Sequence, residues 1–350
     1  MDRLAQLQAA LEPAAFDALL LTAPYQLRAF CGAQVSAGAL VVTPERTVLL
    51  LDPRYQQAVK PGRVELKPYA GIGEYPQALR ELFGPDAVRI GVYAPALSLA
   101  DINTLNPQGD LTFVPADALI NELTSLLSDA EIGALQKAEA VTRRAIDATF
   151  AALSPGVTER HLRQILLSHI YQESEGPSFE PIIAFGVRTA LPHAHPGMTA
   201  LGQNELVTID AGAVIDGLHA DLTMTRLFGE SERAQHLIDL ARQALEAALQ
   251  VIRPGVTASE IDEAARAPIR AAGLDQHTLR GIGHALGYQT HQFPILREHG
   301  QERLQAGQVL AIEPGVYLPG FGGVRLEQMV VVTETGSSLI SEWRGKERAE

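Results

Sequence analysis

Hydrophobic positions in the first third of the chain come in short dense runs separated by polar and turn-forming residues. FDALLLT (16–22), GALVVT (38–43), TVLLLDP (47–53), VRIGVYA (88–94) and DLTFVPA (110–116) each carry the aliphatic and β-branched content of a strand. EYPQALRELFG (74–84) instead spaces its apolar residues at helical intervals. Strands mixed with helix predict a small α/β domain over residues 1–122. The period then changes. SDAEIGALQKAEAVTRRAIDATFAAL keeps helical spacing for about six turns, and Ser128 followed by Glu131 has the spacing of a capping box. A long helix therefore opens a second domain, 123–350.

Within that domain the chain repeats itself. LSPGVTERHLRQIL (153–166) and IRPGVTASEIDEAA (252–265) share Pro-Gly-Val-Thr followed by a helical pattern, with Thr158 and Thr257 as the expected N-caps. Each copy is followed by a helix or strands and then a hairpin, ELVTIDAGAVIDGLHADLTMTRLF after the first and VLAIEPGVYLPGFGGVRLEQMVVV after the second. Two αβ halves offset by about 99 residues predict an α+β domain with internal pseudo-twofold symmetry.

The hairpins carry the chemistry. Asp216-Gly217 is a two-residue turn signal, so Ile215 should face Leu218 and cross-strand partners should sum to 433. Asp210 then faces Thr223, and Gly212 faces Asp221. Side chains alternate along a strand, so Asp210 and Asp221 share one face as diagonal neighbours, about 7 to 8 Å apart at the backbone. Both lie in apolar strands, where an unpaired carboxylate costs several kcal/mol. Arginine can neutralise such an acid, and Arg226 and Arg325 are candidates. However, Glu313 in VLAIEPGVY and Glu327 in VRLEQMVVV are expected to repeat the arrangement. Four acids in matching apolar hairpins, with His284 from GIGHALGYQTH nearby, point to a pair of divalent cations; oxygen ligands with one imidazole suit Mn, Co, Zn or Fe. GIGHALG lacks the spacing of a dinucleotide-binding loop.

Composition narrows the partners. A formal net charge of -13, with no stretch that gathers lysine and arginine, excludes a nucleic-acid surface. The apolar runs break well short of the roughly 20 residues that span a bilayer, so no membrane role is expected. The opening MDRLAQLQAALEP lacks the build of an export signal, and the single cysteine, Cys31, cannot form an internal disulfide. A cytoplasmic location is expected.

TALPHAHPG (189–197), VTIDAGA (207–213), ADLTMTR (220–226), GIGHALGYQTHQFP (281–294), IEPGVY (312–317) and VRLEQMVVVT (324–333) together resemble the pita-bread metallopeptidases. That family includes methionine aminopeptidase, aminopeptidase P and Xaa-Pro dipeptidase (prolidase). FDALLLTAPYQLRAFCG and LLLDPRY also resemble the N-terminal domain of the creatinase and prolidase branch, which methionine aminopeptidases usually lack. The resemblance implies a pita-bread fold for 123–350. It implies Asp210, Asp221, His284, Glu313 and Glu327 as ligands of two metal ions, manganese first among the choices, with Asp221 and Glu327 bridging. It implies His193 and His291 as catalytic and substrate-binding histidines, Glu313 as the proton carrier, and a metal-bridging hydroxide as the attacking group. The implied reaction is hydrolysis of the Xaa-Pro bond in dipeptides, with a small peptide as partner and a homodimer as the assembly. The alternative is release of the N-terminal residue from longer Xaa-Pro peptides.

The chain departs from the family pattern at Met224, Ala285, Gln292 and Ile295. The last stands where some prolidases carry an arginine for the substrate carboxylate, leaving Arg325, Arg297 or Arg188 as substitutes, with Arg325 preferred. Of the neighbours His193 and His195, His193 is chosen because it directly follows Leu-Pro.

Overall fold

A computed structural model describes residues 2–55, 57, 59, 64–69, 71–83 and 88–342. The chain divides into two compact units, residues 1–124 and 125–350. The last position of the helix expected over 74–84 and the segment 343–350 lie outside the described residues.

The first unit is built on a six-stranded sheet of β1 (Ala18–Leu21), β2 (Ala39–Val42), β3 (Thr47–Leu51), β4 (Glu65–Pro68), β5 (Val88–Val92) and β6 (Leu111–Pro115), in the order β4-β3-β2-β1-β5-β6. β1 runs antiparallel to β2 and parallel to β5. Five of these strands lie in the apolar runs of the sequence, whereas β4, with the sequence ELKP and no buried position, lies in none of them and is held by parallel pairing to β3. β1 and β2 are buried at every position, as strands covered on both faces must be. Around the sheet stand α1 (Arg3–Leu11), α2 (Pro24–Cys31), α3 (Tyr75–Phe83), α4 (Leu99–Leu105) and α5 (Asp117–Ser125). In α1, Asp2 caps the N-terminus and Leu4, Leu7 and Leu11 are buried on one stripe.

The second unit opens with α6 (Asp129–Ala151), capped by Ser128 and Glu131 as the spacing predicts. It packs on α7 (Glu159–Glu173), and both lie against the sheet β7 (Ile182–Phe185), β8 (Glu205–Ala211), β11 (Leu222–Phe228), in the order β11-β8-β7. Their shared core holds Ile146, Leu162, Leu166, Ile183, Val207 and Ile209. The second half repeats the plan. α8 (Glu232–Val251) packs on α9 (Ala258–Ala271), beside the sheet β13-β12-β14-β17-β18, formed by β12 (Gly283–Leu286), β13 (Gln292–Leu296), β14 (Val309–Ile312), β17 (Gln328–Val332) and β18 (Ser337–Leu339). Ile261, Ala265, Ile282, Leu310, Ile312 and Val330 lie in its core. Thr158 and Thr257 cap α7 and α9, at the two copies of the repeated motif. Short ribbons, β9 (Val214–Ile215) with β10 (Leu218–His219) and β15 (Gly315–Leu318) with β16 (Gly322–Arg325), complete the hairpins. Among the described residues no helix is long and apolar enough to cross a membrane.

Candidate metal centre

The first hairpin has the register its turn dictates. Asp216 and Gly217 take φ of 51° and 68°, the positive values of a type I′ turn. Ile215 pairs with Leu218, Thr223 with Asp210, and Leu222 with Ala211, so the sum of 433 holds along the ladder. The second hairpin does not repeat the diagonal. Its pairs, from Val309 with Val331 to Leu318 with Gly322, sum to 640, which sets Glu313 directly across from Glu327. There the ladder is split: the Glu313 N–H donates to Ile282 O and the Glu327 N–H to Thr223 O, both outside the hairpin. Gly283 lets β12 approach β14, since a Cβ at that position would lie 2.2 Å from Ala311 O. His284 follows it directly.

These elements bring five expected ligands to one place. Carboxylate oxygens of Asp210, Asp221 and Glu327 lie within 4.8 Å of one another, and a second such group is Asp221, His284 and His291. His284 Nε2 stands 3.6 Å from both Asp221 Oδ2 and Glu313 Oε1. Its Nδ1 faces Ala285 O at 3.1 Å; with Nδ1–H donating there, Nε2 is left to accept a cation. Asp210, Asp221, His284 and Glu327 are buried, whereas the Glu313 side chain is 28% exposed.

Burial pushes Asp221 well above the usual carboxylate range, with Glu327, Asp210 and Glu313 adding to it, and does the same to Glu327. Glu313 is also raised, chiefly by burial. Burial holds His284 low, and His291 too, where His284 adds to the effect. The ring centroids of the two histidines lie 4.3 Å apart with their planes tilted by 45°.

Arg325 neutralises part of this charge, so the arginine alternative is realised for one acid. Its Nη2 donates to Asp210 Oδ2 at 2.5 Å, Nη1 to Tyr317 Oη and Pro192 O, and Nε to Thr223 Oγ1. Thr223 Oγ1 in turn donates to Glu327 Oε2 at 2.8 Å. Four of the five guanidinium donors are thus engaged, and the side chain is 4% exposed. Arg226 is occupied elsewhere, 2.6 Å from Asp147. When ionised, four carboxylates against one guanidinium would leave a charge of about −3, and Asp210 Oδ1 and Glu327 Oε1 are buried with no hydrogen-bond partner among the described residues. Two divalent cations fit both the charge and the orphaned oxygens.

Asp210, Asp221, His284, Glu313 and Arg325 line a cavity of about 450 Å³ together with His193, His195, His291 and Arg280. His193 acts electrostatically on Glu313 and His291, whereas His195 acts on Glu180. Arg188 is turned away, with Nε on Glu159 and Nη2 on His195 O. Arg280 is exposed, and no ion pair or hydrogen bond joins it to another described residue. Sequence reasoning missed Arg280, Tyr317 and Thr223. Tyr317 lies inside the quoted IEPGVY segment, and Thr223 was identified only as the partner of Asp210.

The family model described as Metallopeptidase family M24 matches residues 133–334, and Creatinase/Prolidase N-terminal domain matches 3–124. The chain belongs to metallopeptidase family M24. It is 25% identical to a Xaa-Pro dipeptidase of Pyrococcus furiosus, over 97% of this chain and 98% of that one. The solved Xaa-Pro dipeptidase from Bacillus anthracis superposes with a TM-score of 0.90 at 27% identity, covering 99% of this chain and 98% of that chain. The X-Pro aminopeptidase from Thermotoga maritima reaches 0.87 at 26% identity, with 98% of each chain covered. The M24 chain is thus a metal-dependent peptidase with a creatinase-type N-terminal domain and a pita-bread C-terminal domain. Its family implies divalent metal ions and small peptide substrates.

Proposed function

We propose that this M24 peptidase hydrolyses the Xaa-Pro bond of dipeptides. The observation that carries the reading is the convergence of five candidate ligand side chains, two with orphaned oxygens, four of which line a cavity of about 450 Å³ with Glu327 buried behind them. In this reading Asp210, Asp221, His284, Glu313 and Glu327 hold two divalent ions, manganese first, with cobalt, zinc or iron as alternatives. Ions bound there would lower the pKa of a water toward neutrality and polarise the scissile carbonyl.

The remaining steps belong to the chain's own residues. Glu313 is the most exposed of the four carboxylates and its pKa is raised by burial, which suits it to take a proton from water and return it to the proline nitrogen. His193 and His291 are imidazole donors for the oxygen that gains charge as the carbonyl is attacked. The substrate carboxylate goes to Arg280, because four of the five donors of Arg325 are already committed to Asp210, Tyr317, Pro192 and Thr223. Arg325 instead orients Asp210. The enzyme acts in the cytoplasm, as a homodimer.

Likeness to an X-Pro aminopeptidase at nearly the same identity supports a second reading, cleavage of longer peptides. Hydrolysis of a Xaa-Pro dipeptide beside a Xaa-Pro-Xaa-Xaa tetrapeptide, with Mn²⁺ and with EDTA, separates the two. Dipeptide cleavage alone, abolished by EDTA, is expected. Tetrapeptide cleavage would move the enzyme to the aminopeptidases, and no cleavage of either would refute both.

A further inference from the structure

Glu159 is an acidic side chain that is fully buried, and it belongs to no part of the metal centre. It is the first residue of α7, directly after the Pro-Gly-Val-Thr motif. Its Oε1 accepts from the Phe185 N–H at 3.1 Å and from Arg188 Nε at 3.0 Å; its Oε2 accepts from the Gly197 N–H at 2.9 Å. Phe185 ends β7, and Gly197 closes the loop that follows. One carboxylate therefore pins both ends of the segment 185–197 and, through Arg188, its middle. That segment carries His193. Arg188 extends the hold by donating to His195 O, and Pro192 O meets Arg325.

A carboxylate in this position is costly unless every lone pair in use has a donor. Here two amides and a guanidinium supply them, and the N-terminus of α7 favours negative charge. The other copy of the repeat shows that the fold does not require it. The position after Thr257 is Ala258, likewise buried, whose N–H donates to Glu302 O. Helix and loop are joined there by backbone bonds and by Arg303 Nη1 donating to Gly255 O, with no acid at the first helical position. The acid at this repeat position is thus found only in the first half, where the loop it holds carries His193.

We propose that Glu159 is a positioning residue for catalysis: it clamps the 185–197 loop so that His193 is held over the cavity opposite Glu313. The part of this statement that concerns catalysis rests on the peptidase reading above. Glu159→Gln keeps the shape but sets an NH₂ against N–H donors, so the clamp loses at least one of its three bonds. Arg188→Met removes a different one and leaves the carboxylate charge in place.

The test pairs hydrogen exchange, read by mass spectrometry on the full chain, with a double-mutant cycle. Glu159→Gln is expected to speed exchange at least tenfold in the amides of 186–197 and to leave α7 and α9 unchanged. With Xaa-Pro dipeptide and Mn²⁺, it should lower kcat/KM at least tenfold, mainly through kcat. Added to His193→Ala it should cost less than twofold more, since the clamp acts through that histidine. Arg188→Met should show the same non-additivity with a smaller loss, and serves if Glu159→Gln does not fold. Unchanged exchange in 186–197, or losses that multiply with His193→Ala, would overturn the proposal. Absence of turnover in the wild-type chain would sink the peptidase reading instead, while the exchange result would still decide whether the clamp exists.

Discussion

Replacing Arg325 by Met should destabilise the metal-free protein far more than the metal-loaded one. The guanidinium lies 2.5 Å from Asp210 Oδ2, with both side chains less than a tenth exposed. At an effective dielectric of about 20, unit charges at that distance attract by about 7 kcal/mol, most of which offsets desolvation. Removing one partner of such a pair costs about 3 to 5 kcal/mol, because the other charge stays behind. For a unit of this size each kcal/mol lowers Tm by about 2 to 4 °C, so a fall of roughly 6 to 20 °C is expected in EDTA. With Mn²⁺ the ions themselves compensate Asp210. What remains is mainly the lost contacts to Tyr317, Pro192 and Thr223, and the fall should be less than half as large. Calorimetry of wild type and variant, each in EDTA and in saturating Mn²⁺, reads the four corners of the cycle. Equal falls in both conditions would refute the idea that arginine and cations share the neutralisation of one acid cluster.

Two other predictions concern the substrate and the protons. Arg280→Ala should raise KM for a Xaa-Pro dipeptide about 10- to 100-fold, the worth of one charged hydrogen bond, and leave KM for the corresponding Xaa-Pro amide unchanged; equal effects on both would remove Arg280 from carboxylate recognition. Burial raises Asp221, Glu327 and Glu313 in the metal-free protein, so the folded state holds protons that the unfolded chain has released. That stabilising contribution is present below the ordinary carboxylate range and is lost as pH rises through the raised values. Mn²⁺ must displace those protons, and titration calorimetry at pH 6 in buffers of differing ionisation enthalpy should show more than one released per chain; no release would mean that the acids are already ionised.

The first hairpin was legible because its register depends on two adjacent residues. A type I′ turn at Asp216-Gly217 and a period of two carry the pairing outward to Asp210 and Asp221 without further information. The second hairpin has no such short turn, and its ladder breaks at Glu313 and Glu327, where backbone donors leave for Ile282 and Thr223. Its geometry is tertiary, and local pattern could not foresee it. Depth was likewise hidden. Arg325 and Arg280 are both arginines beside glycine-rich segments, yet one is sealed among four partners and the other is open to the cavity. Glu159 reaches partners 26 to 38 residues away, a span that no helical or strand period encodes. In α1, the spacing of Leu4, Leu7 and Leu11 encodes a helix with one buried stripe.

The proposed metal ligands are divided between the repeats, with Asp210 and Asp221 from the first and His284, Glu313 and Glu327 from the second. Cations shared between them would add a further cross-link to two modules that already meet through a core holding Leu206, Val316 and Val324 and through the Arg325–Asp210 and Thr223–Glu327 contacts. Partial opening of either module would then strip ligands from both ions, so its cost would include their release, and subglobal fluctuations should be suppressed together. A chain built by repetition would in this way acquire the cooperativity of a single folding unit from its reaction centre.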